Sequence, residues 1–330
     1  MNSFHFDFET RSEIDLRVVG AWKYAMHPTT EILCMGFCIN ADGVPAIIHG
    51  DALKTPIPGI ADMRMVAHNA SFEFAIYHCL LHKRLGWPKH SDPKLWSCTM
   101  AKAAAAGLPL DLDSLGKALK LGTVKDLDGR RVMLRLSKPA GRDAAGQVIW
   151  DDSPEKIKKL HAYCLTDVKV EKEIDAMLPE LSERERKIWE LDFHVNTRGI
   201  CVDTELCVKA AGLADELTTR LNTQLRRLTG EAVDKATQTT ALKIWIEKRG
   251  VTIPTKTTKD GALKQTIDKA AILNLLSDAS VPKLVKDVIS IRRQVGKSST
   301  AKYIKALDSA GPDHRIRGVL QYHAAHTGRW

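Results

Sequence analysis

The sequence has little that would anchor it in a membrane or cross-link it covalently. No apolar run in its 330 residues approaches the roughly 20 residues that a membrane-spanning helix needs. Residues 1–5 lack the basic and apolar regions of a signal peptide. The seven cysteines are an odd number and include no Cys-x-x-Cys pair, so we interpret them as small buried hydrophobic residues. We therefore expect neither a membrane-spanning protein nor a disulfide-stabilised secreted domain.

Basic residues outnumber acidic ones, 49 lysines and arginines against 40 aspartates and glutamates, which gives a formal net charge of +9. Such a balance favours a polyanionic partner, because lysine and arginine that displace counterions from phosphates supply sequence-independent affinity. The chain is long enough for two domains, each with a core of its own.

The start of the sequence predicts a strand with two different faces. In residues 4–9 phenylalanine alternates with polar residues, which is the period-two pattern of a strand. Asp7 and Glu9 therefore share one face. Antiparallel strands at 31–39 and 45–49, joined by a hairpin turn, are expected to follow.

Strands and helices then alternate. They are expected in turn at residues 65–68, 71–82, 95–98, 100–106 and 112–119. The polar segment 122–152 has the composition of an insertion. A helix from Ser153 towards Thr166 and a second amphipathic stretch over 167–178 come next, with a domain boundary near Pro179.

The second half is strongly helical. Residues 203–229 keep a leucine stripe that predicts a coiled helical arm. The threonine- and lysine-rich segment 252–264 predicts a loop. Basic side chains crowd both the insertion and the region after residue 283, where they could follow phosphates.

Asp7 and Glu9 are candidate metal ligands. Paired acids are also common on exposed strand edges, but these two lie on an aromatic strand. Burying two adjacent unpaired carboxylates costs roughly several kcal/mol of folding free energy unless a cation neutralises them. A divalent metal is the obvious neutraliser.

Two further segments offer side chains of the same kind. Asn69 lies at a strand-to-helix junction and Glu73 one helical turn later, although a helix cap with an acid in the first turn would look the same. Tyr163 and Asp167 are four residues apart and so share a helix face. A core tyrosine beside a capping aspartate is the alternative there.

Taken in order, these three elements resemble the exonuclease motifs of the DnaQ-like superfamily, in its tyrosine-containing branch, as found in the proofreading domains of family A DNA polymerases. The resemblance covers about the first 180 residues. It implies an α/β, RNase H-like fold, with a mixed five-stranded sheet and flanking helices.

The resemblance also implies the roles of the site residues. Four acids would hold two Mg²⁺ or Mn²⁺ ions, namely Asp7, Glu9, Glu73 and Asp167, and Tyr163 would position the attacking water. One ion lowers the pKa of bound water and both stabilise charge on phosphorus, so that a 5′-mononucleotide leaves.

One position departs from the family pattern, in which the acid four residues after the asparagine is aspartate. Glu73 moves the carboxylate by about one bond length, in a kind of site that tolerates only about 0.5 Å of misplacement. DNA contacts are further implied for Thr10, His68, Asn69, Phe72 and Arg131.

The remainder resembles the start of a family A polymerase of the phage and prophage type. Residues 196–203 resemble the strand that leads into the polymerase, 292–303 a thumb segment, and 322–330 the first polymerase motif. The DNA contacts implied here are Arg292, Arg293, Lys297, Thr327 and Arg329. Since the catalytic aspartates and the fingers helix are absent, the chain itself is not expected to polymerise DNA.

The resulting expectation is a 3′-5′ exodeoxyribonuclease domain at residues 1–180 and an incomplete polymerase domain at 181–330. The expected partners are a single-stranded DNA 3′ end in the nuclease site and a primer–template duplex along the thumb-like region. We expect a cytoplasmic monomer, in a bacterial cell or a phage-infected host. The alternatives are a catalytically impaired DNA-binding fragment and an RNase D-like exonuclease acting on RNA.

Overall fold

The computed structural model describes residues 1–122, 127–258, 260–295, 300–325 and 327–329, which separate into two compact units. The first comprises Met1–Val202 with Asp308–Trp330, and the second Asp203–Leu307. The first unit therefore runs past the predicted boundary at 180, because Trp189 and Phe193 pack into its aromatic core. The assignment of functions to residues 1–180 and 181–330 stays a prediction.

A mixed five-stranded sheet lies at the centre of the first unit, in the order β3-β2-β1-β4-β5. The pairs β1–β2 and β2–β3 are antiparallel, whereas β1–β4 and β4–β5 are parallel. The strands are β1 (Ser3–Arg11), β2 (Glu31–Ile39), β3 (Ala46–Ile48), β4 (Arg64–Ala67) and β5 (Trp96–Cys98). The mixed α/β sheet of about five strands is thus confirmed.

Helices flank this sheet, and short segments connect them. The helices are α1 (Leu16–Val19), α2 (Ala21–Met26), α3 (Ala70–Ile76), α4 (Lys83–Leu85), α5 (Thr99–Ala105), α6 (Leu112–Ala118), α7 (Leu127–Leu136), α8 (Pro154–Met177) and α9 (Glu183–Arg198). A π-helical turn at Tyr77–His82 and 3₁₀ turns at Gly50–Lys54, Ile60–Asp62 and Pro93–Leu95 lie between them. Two small antiparallel pairs complete the unit, β6 (Gly141–Arg142) with β7 (Val148–Ile149) and β8 (Ile200–Cys201) with β11 (Arg315–Ile316).

The two faces of β1 differ as its alternation predicts. Phe6 packs edge-on to Trp96, and its ring centroid lies 5.9 Å away. On the opposite face Nδ1 of the buried His5 lies 2.9 Å from Oε2 of Glu171 on α8. The polar face of β1 is therefore covered by α8, whereas the phenylalanine face forms the core.

The segment 153–178 was predicted as two stretches, which is wrong, because α8 is one helix of 24 residues. The Thr166 hydroxyl donates to the Ala162 carbonyl at 2.9 Å, so it bonds within the helix instead of capping a new one.

The predicted insertion contains regular structure. It holds α7 and the β6–β7 pair, and Leu136 of α7 is buried against Leu160 and Cys164 of α8. Six of the cysteines are buried as interpreted, but Cys201 is exposed.

The second unit has its own helical core. Its elements are α10 (Thr204–Thr229), α11 (Thr239–Glu247), β9 (Thr255–Thr257), β10 (Leu263–Gln265), α12 (Lys269–Ser277) and α13 (Lys283–Val295); a further helix, α14, spans Ala301–Ser309. The predicted loop at 252–264 is thus partly wrong, since it carries the antiparallel β9–β10 pair. Of the leucine stripe on α10, Leu221 and Leu225 are buried whereas Leu206 and Leu213 are exposed.

In the part of the chain that is described, no helix is long and apolar enough to cross a membrane.

Candidate functional site

The five side chains predicted to be catalytic line one cleft of about 510 Å³ in the first unit. We call it the carboxylate cleft, and its predicted members are Asp7, Glu9, Glu73, Tyr163 and Asp167. They come from the middle and second half of β1, the first turn of α3 and the middle of α8. The fold therefore brings together acids from three distant parts of the sequence.

Strand β1 supplies two acids to the same side of the cleft. Asp7 is partly buried and Glu9 is buried, and both point to the face that α8 covers. The ladder with β2 shifts register between Glu9 and Thr10. Such an irregularity locally re-aims side chains at the end of a strand.

Helix α8 supplies the phenol and the third acid, one turn apart. Tyr163 is buried, and its hydroxyl donates a hydrogen bond to the carboxylate of Asp167. Burial, followed by the negative charges of Asp167 and Glu9, raises the pKa of the phenol above its ordinary value of 10.0. Tyr163 is therefore neutral near pH 7 and acts as a hydrogen-bond donor to Asp167.

Glu73 is the most deeply placed acid of the cleft. It is 3% exposed, and its Oε2 has no hydrogen-bond partner among the described residues. Burial raises the pKa of this carboxyl well above 4.5, and the charge of Asp7 raises it further. A buried acid that has one oxygen without a hydrogen-bond partner and lies near another acid is electrostatically costly unless a cation joins them.

The donor set fits a divalent cation. One carboxylate oxygen each from Asp7 and Glu9 and the sulfur of Cys164 lie within 4.8 Å of one another. Carboxylate oxygens are the ligands that Mg²⁺ and Mn²⁺ prefer. Together with the orphaned oxygen of Glu73, they are suited to neutralising positive charge.

Two of the residues predicted to contact DNA also line the carboxylate cleft. They are Thr10 and Phe72. The Thr10 hydroxyl lies 3.0 Å from the hydroxyl of Tyr24, which lines the cleft as well. Burial raises the pKa of Tyr24 to about 12, so it too is a neutral donor.

Three other predicted contacts lie outside the cleft lining. The His68 ring is 2.9 Å from the Thr99 hydroxyl and 2.8 Å from the Leu110 carbonyl, so both of its nitrogens serve local structure. Asn69 is exposed at the start of α3, with φ at 64°. Arg131 is exposed on α7, 3.4 Å from Asp128.

The residues predicted to contact duplex DNA are dispersed. In the second unit Arg292 lines a cleft of about 660 Å³ together with Lys243, Lys256 and Lys264. The adjacent Arg293 is exposed.

In the first unit Thr327 and Arg329 are exposed, with Arg329 Nε donating to the Thr327 hydroxyl at 3.1 Å. Lys297, His326 and Trp330, which belong to the predicted motifs, lie outside the described residues.

Sequence reasoning missed several side chains of the cleft. Arg17 and Lys138 bring positive charge to its lining, and Lys138 Nζ lies 3.0 Å from Asp15. Lys138 follows α7 in a segment rich in basic residues, and that composition indicated a phosphate contact. The sequence did not indicate that Lys138 lies at the carboxylate cleft. Arg17 and Tyr24 had no signal, because only the packing of α1 and α2 brings them there.

The fold and the cleft define the first unit as an α/β unit with an acidic site suited to divalent cations. In comparisons with known proteins, no family model matches the chain. Its sequence is 31% identical, over an alignment of 346 residues, to a DNA polymerase of Bacillus phage SP02. The alignment covers 100% of this chain and 50% of that protein, so the chain spans about half the length of its curated relative.

A solved structure supports the likeness at the level of the fold. It is the POL domain of Pol1 from M. smegmatis in complex with a DNA primer-template and dNTP. The match has a TM-score of 0.55 at 14% identity and covers 99% of this chain and 50% of the other. The chain is thus similar in sequence to a DNA polymerase and in fold to a polymerase domain.

Proposed function

We propose that the first unit is a 3′-5′ exonuclease that removes nucleotides from DNA 3′ ends and depends on two divalent cations, Mg²⁺ or Mn²⁺. One observation carries the proposal: the five side chains Asp7, Glu9, Glu73, Tyr163 and Asp167 line a single cleft. Acids gathered in this way suit phosphodiester hydrolysis, which requires neutralisation of a phosphate and activation of a water.

The chain's own groups would share the work as follows. Asp7, Glu9, Glu73 and Asp167 would hold the cations, which, when bound, supply an activated water and stabilise charge on the phosphate. The neutral phenol of Tyr163, held in place by its hydrogen bond to Asp167, would position the attacking water. Arg17 and Lys138 offer positive charge to the phosphate backbone at the cleft.

We further propose the RNase H-like, DnaQ-like fold for this unit. The sheet order β3-β2-β1-β4-β5 supports it, with antiparallel pairs on one side of β1 and parallel pairs on the other. Three of the acids lie on the central strand and on the helix that covers its polar face, and Glu73 lies in the first turn of α3.

DNA as the substrate, and a role within a DNA polymerase, are supported by the similarity to the phage DNA polymerase. We propose that the second unit belongs to a thumb-like region that holds duplex DNA. The basic lining of its cleft, with Lys243, Lys256, Lys264 and Arg292, is suited to phosphates.

The decisive experiment measures degradation of a 3′-labelled single-stranded DNA oligonucleotide by the purified chain, with Mg²⁺, with Mn²⁺ and with chelator. Wild type should release mononucleotides only with metal, and Asp7→Asn and Glu9→Gln should lose more than about a hundredfold in rate. The matched control is Glu183→Gln, which neutralises an exposed acid on α9. Activity in chelator, or full activity of Asp7→Asn, would refute the proposal.

An RNA oligonucleotide of the same sequence tests the RNase D-like alternative. Faster degradation of RNA than of DNA would favour that alternative. A chain that binds DNA and degrades neither substrate would support the impaired fragment instead.

A further inference from the structure

The thiol of Cys164 is buried beside Asp7, one of the acids of the carboxylate cleft, and the proposed hydrolysis gives this thiol no task. Its sulfur is 3.7 Å from Oδ2 of Asp7 and accepts a hydrogen bond from the Gly36 N–H at 3.2 Å. The residue is fully buried on α8, directly after Tyr163. A sulfur atom, which prefers soft metal ions, therefore lies beside carboxylate oxygens, which prefer hard ones.

We propose that Asp7, Glu9 and Cys164 form a mixed carboxylate–thiolate site for a thiophilic divalent cation, Zn²⁺ or Cd²⁺. One ligand atom from each lies within 4.8 Å of the other two, so small side-chain movements would bring all three around a single ion. Zinc sites in proteins commonly combine thiolate with carboxylate or imidazole ligands, whereas Mg²⁺ sites use oxygen alone.

The separation of sulfur and oxygen suits such an ion. Metal–sulfur and metal–oxygen bonds of about 2.3 and 2.1 Å, joined across the 3.7 Å between Cys164 Sγ and Asp7 Oδ2, enclose an angle of about 114° at the metal. This is close to the tetrahedral angle that Zn²⁺ adopts. The two residues therefore need little movement to share one ion.

A second observation also points to a cation. Glu73, which lines the same cleft, is 3% exposed, and its Oε2 has no hydrogen-bond partner among the described residues. A buried carboxylate oxygen without a hydrogen-bond partner is stabilised by positive charge nearby.

Binding of the metal ion releases one proton from Cys164. When the ion binds, the S–H bond of Cys164 breaks, a metal–sulfur bond forms, and the proton passes to the buffer. No electrons are transferred, and no other reactant is needed.

The alternative role of Cys164 is to fill space between α8 and the sheet. Gly36 leaves room for the sulfur, since a Cβ atom at residue 36 would lie 2.9 Å from Cys164 Sγ. A side chain that only filled this space could be replaced by alanine without any effect on soft metals. Metal specificity therefore separates the two roles.

The test uses the full chain in reducing buffer, with the exposed Cys201 replaced by serine throughout to remove its thiol. Cadmium is titrated while the ultraviolet thiolate-to-cadmium charge-transfer absorption is recorded. Wild-type Cys164 should give a band that saturates at one equivalent, and Cys164→Ala and Cys164→Ser should lose it. The matched control is Cys79→Ala, which removes another buried thiol of the first unit and should keep the band.

Asp7→Asn provides a further variant that leaves every remaining thiol in place, and it should weaken cadmium binding by about tenfold or more. A band of full size in Cys164→Ala, or no band in wild type, would overturn the proposal. This proposal shares Asp7 and Glu9 with the proposed nuclease, but it is tested by cadmium binding and not by DNA hydrolysis. If DNA hydrolysis fails while the band appears, only the exonuclease proposal falls; if the band fails while Mn²⁺-dependent hydrolysis persists, only the thiolate site falls.

Discussion

Gly36 of β2 lies opposite Asp7 of β1 in the antiparallel ladder, and α8 passes close over this pair. A Cβ atom at residue 36 would lie 2.9 Å from Sγ of Cys164 and 3.1 Å from Cγ2 of Val168. The absence of a side chain at Gly36 therefore allows the helix that carries Asp167 to approach the strand that carries Asp7.

Gly36→Ala should destabilise the first unit by about 1–3 kcal/mol, because the added methyl group overpacks the β2–α8 contact. It should also slow the proposed DNA hydrolysis, since α8 must shift away from β1. Urea unfolding and the oligonucleotide assay measure the two effects.

Gly212→Ala is the matched control for this change. Gly212 lies in α10, and a Cβ atom there meets nothing within 4 Å. The control should be neutral or gain up to about 1 kcal/mol from helix propensity. Equal urea midpoints for Gly36→Ala and wild type would contradict the overpacking argument.

The buried pair of His5 and Glu171 joins β1 to α8, with side chains 2% and 3% exposed. Glu171→Gln should lower the free energy of unfolding by about 1–3 kcal/mol, because it replaces the carboxylate that is hydrogen-bonded to the buried His5 ring with a neutral amide. Glu183→Gln, which breaks the exposed pair with Lys187, should cost less than about 1 kcal/mol. Chemical denaturation of both variants checks the comparison, and similar losses would show that burial does not strengthen the pair.

His78 makes the first unit sensitive to acid. Its ring lies 5.8 Å from the rings of both Trp22 and Phe74. Burial, followed by the charge of Lys83, lowers its pKa from 6.5 to about 4. Because the folded protein binds this proton more weakly than the unfolded chain, the stabilisation is complete above pH 6.5 and is lost as pH falls towards about 4.

His78→Phe should therefore lose less stability than wild type across that pH interval. Urea unfolding at several pH values measures the difference between the two proteins, which cancels the titration of other groups. Parallel pH profiles would show that His78 does not account for the acid sensitivity.

Glu73 should destabilise the protein when no cation is present. Burial raises its pKa above 4.5, so its stabilising contribution is complete below pH 4.5 and is lost as pH rises through the raised value. In chelator at neutral pH, Glu73→Gln should consequently be more stable than wild type. Addition of Mg²⁺ should stabilise wild type more than the variant, because a cation gains from the charge.

Thermal unfolding in chelator and in Mg²⁺ provides the measurement. Glu73→Asp is the matched control, since it keeps the charge and shortens the side chain by one methylene. It should retain the response to Mg²⁺ that Glu73→Gln loses. A wild type that is the more stable protein in chelator would contradict the assigned cost of burial.

The faces of the elements that carry the site can be predicted from the sequence alone. The alternation of residues 4–9 is enough to place Asp7 and Glu9 together on β1, because a strand repeats every two residues. The four-residue spacing likewise places Tyr163 and Asp167 on one face of α8. These are local properties of backbone geometry, and they need no knowledge of the rest of the chain.

Contacts between side chains on different elements, in contrast, depend on how the elements pack. Cys164 touches Asp7 because Gly36 allows α8 to approach the sheet, and nothing in the local sequence of either residue indicates this contact. The continuity of α8 and the place of α7 beside it depend on apolar contacts such as Leu136 with Leu160. Such contacts join residues far apart in the sequence, so local periodicity could not predict them.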